Sequence, residues 1–147
     1  MSQINNPVQP FKSADEIEEV VRRFEACAFQ AGEFKHREHL AVILWYLSKF
    51  SETEAAARMR EGLYRFLDHH KVDRRKYHET ITLFWVRKVR VLLAQNEREL
   101  PLALIANKVI EDGGDVRLIY AYYSEPLINS TAAREGWVEP DLQPLDF

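Results

Sequence analysis

The chain predicts an all-α domain, and three observations carry that expectation. Apolar residues recur at helical spacing in four successive segments between Ser13 and Gln95. Capping boxes open two of these segments, at Ser13-Ala14-Asp15-Glu16 and Ser51-Glu52-Thr53-Glu54. Strand-like alternation occurs only from Val116 to Tyr122, and nothing else in the sequence offers it a partner strand. The expected architecture is a four-helix-bundle core with one or two additional short helices and an extended C-terminal tail packed on the bundle.

Pro7 and Pro10 make residues 1–12 an irregular leader, so the helical domain is expected over residues 13–147. The first helix carries Ile17, Val20, Val21, Phe24 and Ala28 on one face and stops at Gly32. The second starts near His36, with Leu40, Ile43, Leu44, Leu47 and Phe50 as its stripe. The third buries Ala55, Met59, Leu63, Phe66 and Leu67 and ends at His69-His70, where imidazolium suits the negative end of the helix dipole. The fourth begins near Tyr77 or His78, runs to about Gln95 and turns Ile81, Phe84, Trp85, Val89 and Leu92 inward.

Pro101 introduces a fifth helix through Ile110, closed by Asp112-Gly113-Gly114. Asp115 to Ser124 is expected as a short helix, and Ser130 to Glu135 as one more turn closed by Gly136. Residues 124–147 form a wrapping tail. Between its polar and proline positions lie Trp137, Val138, Leu142, Leu145 and Phe147.

Size and composition narrow the class. A chain of 147 residues is most simply one domain. Such a domain buries roughly 68–70% of its unfolded surface, enough for a core without staples, and 46% of its residues are hydrophobic. Cys27 is the single cysteine, so no internal disulfide forms; its neighbours Phe24, Ala28 and Phe29 suggest a buried, inert thiol. No basic segment followed by an apolar run opens the sequence, and no apolar stretch is long enough to cross a bilayer, which makes cytoplasmic residence the expectation. The formal net charge of −3 argues against general nucleic-acid affinity. From Lys71 to Arg90, seven basic residues face only Asp73 and Glu79, a face more often solvated than bound to a partner.

Two similar segments suggest where chemistry is concentrated. Phe34-Lys35-His36-Arg37-Glu38-His39-Leu40 and Lys76-Tyr77-His78-Glu79-Thr80-Ile81-Thr82 each place an aromatic residue and a lysine just before histidine at the start of a long helix. His36 and His39 sit three apart and share a face with Leu40 and Ile43, and His78 relates in the same way to Ile81, Thr82 and Trp85. If the helices alternate up and down, the second and fourth begin at the same end of the bundle, and the three imidazoles converge there.

Such a convergence supports several readings. The leading one is a polar pocket of His36, His39, His78, Glu79, Thr82 and Trp85 that binds a small molecule or anion, helped by Lys35, Lys76 and Arg37 and by the backbone donors of two helix starts. A second is a divalent-metal enzyme with His36, His39 and His78 as ligands, joined by Glu79 or Glu33. Its spacing is not diagnostic: Thr82 stands where the zincin pattern needs histidine, and Glu33-x-x-His36 occurs once where a di-iron bundle needs two copies. A third is acid–base catalysis by His78 or His39, although no serine or cysteine stands beside them as a nucleophile. Against these stands a structural or interaction protein without a ligand, whose histidines cap helices.

At these residues the sequence resembles a group of short, all-helical bacterial proteins of unassigned function that share FxHxxHL and KYHETxT motifs. The resemblance rests on Phe34, His36, His39-Leu40, Lys76-Tyr77-His78-Glu79-Thr80, Thr82 and Trp85. It continues through Tyr123, Ser130, Ala133-Arg134, Trp137 and Pro140-Asp141-Leu142. It brings no reaction with it. It implies a bacterial source and one shared site, to which Arg134 and Asp141 are candidate additions.

Overall fold

Over residues 9–96 and 100–147, the computed structural model consists of α-helices and 3-10 turns, with no strand among the described residues. The helices are α1 (Ala14–Glu25), α2 (His36–Lys49), α3 (Glu52–His69), α4 (Glu79–Asn96), α5 (Leu102–Gly113), α6 (Glu125–Ile128) and α7 (Thr131–Glu135). 3-10 turns occupy Arg74–Lys76 and Val116–Ala121. Most of the expected leader lies outside the described residues. The part that is described is pinned at Phe11, whose backbone N–H and C=O both bond the Asn107 side chain of α5, at 2.8 and 2.9 Å.

Two helices run through the middle of the fold. α2 packs against α1, α3, α4 and α5, and α4 packs against α2, α3, α5 and α7. Their composition accounts for this. Leu40-Ala41-Val42-Ile43-Leu44 in α2 and Phe84-Trp85-Val86 in α4 are buried all the way round rather than along one stripe, the pattern of a helix surrounded by protein. α1 instead buries only Ile17, Val21 and Phe24, as a surface helix should. α5 adds Ala103, Ile105, Ala106 and Val109 to the same core, and Ile128 of α6 joins it.

Several boundaries differ from the sequence expectation for local reasons. Ser13 makes no side-chain cap; Glu16 instead accepts the Lys12 N–H at 2.7 Å. Ser51 does cap α3, accepting the Glu54 N–H at 3.1 Å. α1 stops at Glu25 because Cys27 enters the left-handed region (φ +54°) and the Ala28 N–H bonds back to the Arg23 carbonyl at 2.8 Å, a six-residue closure usually built on glycine. Cys27 is therefore half-buried at a helix end rather than in the core. Lys71 (φ +57°) closes α3 in the same way.

The segment around residues 115–124 is a 3-10 helix, capped where Asp115 accepts the Arg117 N–H at 2.9 Å. α6 has no counterpart in the sequence expectation. Ser124 caps it and Pro126 sits in its first turn, a helix start whose apolar content was too short to show a period.

Past α7 the chain runs extended over the helices. Trp137, Val138, Leu145 and Phe147 pack against the core, while Leu142 remains 56% exposed. Polar contacts fix its course. The fully buried Thr80 hydroxyl donates to the Gly136 carbonyl at 2.8 Å and accepts the Val138 N–H at 3.2 Å. Tyr123 donates to the Val138 carbonyl at 2.7 Å, and Tyr122 to Asp146 at 2.9 Å. Asp141 accepts from both the N–H and the hydroxyl of Ser124.

Candidate functional site

The N-terminal turns of α2 and α4 and the C-terminal half of α3 line a partly open cavity of about 340 Å³. α2 supplies His36, His39 and Ile43; α3 supplies Met59, Leu63, Phe66 and Leu67; α4 supplies Ile81, Thr82 and Trp85. Phe34 and the run Lys76-Tyr77-His78 complete the wall. The three histidines thus come to one place, as two helices starting at the same end of the domain require. The walls are mainly apolar, and no carboxylate, serine or cysteine lines them.

The three imidazoles have different surroundings. His78 precedes the first turn of α4 and acts as its cap: its Nδ1 accepts the Ile81 N–H at 3.2 Å. Its Nε2 lies 2.6 Å from the Ile128 carbonyl, which can only accept, so Nε2 carries the proton. Both ring nitrogens are occupied and the ring is neutral. Burial lowers its pKa, opposed by the Ile128 carbonyl and reinforced by the nearby Arg134 charge.

His36 donates Nε2–H to the Gly113 carbonyl at the end of α5 (2.9 Å) and packs edge-on against Trp85 with ring centres 4.5 Å apart. Its Nδ1 is left as a bare acceptor. Burial lowers its pKa, although the Gly113 carbonyl and Asp115 pull the other way.

The half-buried His39 ring makes no hydrogen bond to a described residue. Its ring lies 4.3 Å from that of Phe34, which itself stacks on the fully buried Phe24 at 4.7 Å. Burial first, and then repulsion from His36, push its pKa down to about 4. Trp85 is 4% exposed, and its indole N–H is likewise buried without a partner.

Thr82 lines the cavity, but its hydroxyl proton goes to the His78 carbonyl one turn back, at 2.9 Å. Lys76 is exposed and provides the one cation of the lining.

Glu79 is a correction to the expected set. It faces a separate cleft of about 500 Å³, lined by residues that include Arg60, Tyr64, Arg134 and Glu135. There it takes a bidentate pair from Arg60 (3.0 and 2.7 Å) and the Tyr77 hydroxyl at 2.5 Å. Burial works to raise its pKa, but these donors outweigh it and hold the carboxyl below its ordinary range. Successive helical residues point about 100° apart, which sends His78 and Glu79 into different spaces. Tyr77 forms a wall of both.

The expected ligand triad does not form either. Among the described residues no group of three His, Cys, Asp or Glu side chains is arranged to hold a metal ion. Each neutral imidazole has one lone pair to offer, and that of His78 is already taken by the Ile81 N–H. Glu33 is drawn away to Arg23 and to the Gln30 backbone.

Of the two residues added by the resemblance, Arg134 lines the charged cleft, and Asp141 fastens the tail to Ser124. Three members of the basic run are paired: Arg74 with Asp68, Arg75 with Asp73 and Arg90 with Glu52. No helix among the described residues is long and apolar enough to cross a membrane. Compared with known proteins, the chain matches no family model, no curated protein and no solved structure.

Sequence reasoning passed over Met59, Leu63 and Phe66 as site residues because a helical apolar stripe signals burial without saying whether it meets another side chain or a void. The same ambiguity hid Tyr77.

Proposed function

We propose that this protein binds a small molecule in the cavity between α2, α3 and α4. The observation that supports this reading is one mainly apolar, partly open space in which the half-buried His39 ring makes no hydrogen bond to a described residue, the His36 ring leaves Nδ1 free, and the Trp85 indole N–H is buried in the wall without a partner among the described residues. Buried polar atoms are nearly always paired, and unpaired ones cluster where something else completes them. The cavity is at the lower end of the size range of small-molecule sites and has their usual composition, an apolar wall with a few convergent polar groups. Binding fits this lining better than catalysis: a histidine with a pKa of about 4 is a weak base, and no nucleophile or carboxylate stands in reach of it within the lining.

A cavity-filling variant provides the test. Leu63→Trp puts an indole into the space from a partly exposed position on α3, so the fold should survive. A fragment library screened by ligand-observed NMR should give hits on the parent protein that vanish with Leu63→Trp. An equal hit list for both proteins would refute the reading.

A further inference from the structure

The chemical class of the ligand can be narrowed from the polar groups that the fold leaves open, an inference that rests on the small-molecule reading above. His78 contributes none, since both its nitrogens are occupied. His36 contributes an acceptor, the lone pair of Nδ1, because Nε2–H is held by Gly113. His39, neutral and with its ring unpartnered among the described residues, contributes one donor and one acceptor. Trp85 contributes its ring but no open donor, since its indole N–H is buried out of reach of solvent. The open set holds one donor, on His39, and several acceptors, and all of it is uncharged.

Charge is as informative as hydrogen bonding. Burial keeps the imidazoles in their neutral form. Lys76 is the one cation of the lining, and it is exposed, with its ammonium free to remain in water. A carboxylate moved into this space would give up its hydration without gaining a buried countercharge, and having only lone pairs it would face the lone pair of His36. Aromatic walls from Phe34, Phe66 and Trp85 suit a flat ring.

We propose that the cavity takes a neutral, planar, amphiprotic molecule: an aromatic or heteroaromatic ring bearing a group that both donates and accepts, such as an amide, a lactam or a phenol. It rejects the anionic counterpart of the same shape. The amphiprotic group completes the open histidines, and the ring occupies the apolar wall.

Four probes of similar size separate the terms: benzamide, 2-pyridone, benzoate and toluene, titrated calorimetrically into the full chain near neutral pH. Benzamide or 2-pyridone should bind about tenfold or more tighter than benzoate and toluene, the factor associated with hydrogen bonds made rather than left open. His39→Phe should bring benzamide and toluene to within about threefold of each other by removing the open donor and acceptor. Tighter binding of benzoate than of benzamide overturns the neutral class, and equal binding of toluene overturns the amphiprotic one. Either result leaves a small-molecule site standing. If none of the four binds and none shifts the His39 ring resonances, the underlying reading falls together with this one. The parent-protein titrations decide the matter even if the variant fails to fold.

Discussion

His78 and Ile128 are joined by a 2.6 Å hydrogen bond from Nε2–H to the carbonyl, across fifty positions of sequence. With Nδ1 capping the first turn of α4, one imidazole both starts a central helix and anchors α6 to it. Replacing it with alanine should remove the cap, which alone is worth about 0.5–2 kcal/mol. It should also leave the Ile128 carbonyl without its donor, for a total of about 2–3 kcal/mol. Asn at this position restores the cap and should recover part of that loss. Urea denaturation of the two variants checks this, and equal stability of His78→Ala and the parent would contradict the strut assignment.

His39 should behave in the opposite way. A half-buried imidazole with no hydrogen-bond partner among the described residues is retained at a cost in stability, so His39→Leu should leave the protein unchanged or stabilise it by up to about 2 kcal/mol. Thermal unfolding without ligand measures the difference.

Acid should destabilise the protein in a defined window. His36, His39 and His78 all have pKa values below the ordinary 6.5, and that of His39 is pushed down to about 4. Above 6.5 both folded and unfolded chains keep these rings neutral. As the pH falls from 6.5 towards 4 the unfolded chain takes up protons that the folded one refuses, so stability declines across that interval. His39→Leu should flatten the slope. A pH titration of the thermal midpoint reads it, and a midpoint that rises on acidification through this range would contradict the assignment.

The tail covers the core. Truncation after Glu135 removes the apolar contacts of Trp137, Val138, Leu145 and Phe147, each large side chain being worth about 1.5–3 kcal/mol when buried. It also leaves the fully buried Thr80 hydroxyl without its two tail partners. The truncated chain should lose soluble expression, whereas Leu142→Ser, at an exposed position, should be neutral. Thr80→Val should cost about 1–3 kcal/mol through the orphaned Gly136 and Val138 groups.

Gly62 holds a close crossing open. A Cβ there would lie 2.3 Å from Cε2 of Phe24, the ring that backs Phe34 behind the cavity. Gly62→Ala should gain about 1 kcal/mol of helix propensity and lose about 1–3 kcal/mol to overpacking. The net effect expected is destabilisation, relieved by Phe24→Leu. Denaturation of the single and double variants tests the coupling.

The sequence by itself determined the helical class and the faces of the helices. The repeats around Leu40 and Phe84, the serine cap at Ser51 and the shared face of His36 and His39 are consequences of a 3.6-residue period and local hydrogen bonding. Tertiary structure decided what each polar group does. Whether an imidazole is a strut or an open group depends on carbonyls far away in the chain: Ile128 for His78, Gly113 for His36, and, among the described residues, none for His39. Glu79 turned to Arg60 and Tyr77 in the charged cleft, where a guanidinium and a hydroxyl proton were available to its carboxylate. The cavity itself belongs to no segment. It is the space that three helices fail to fill, and periodicity can mark the side chains facing inward but cannot say where their packing leaves room.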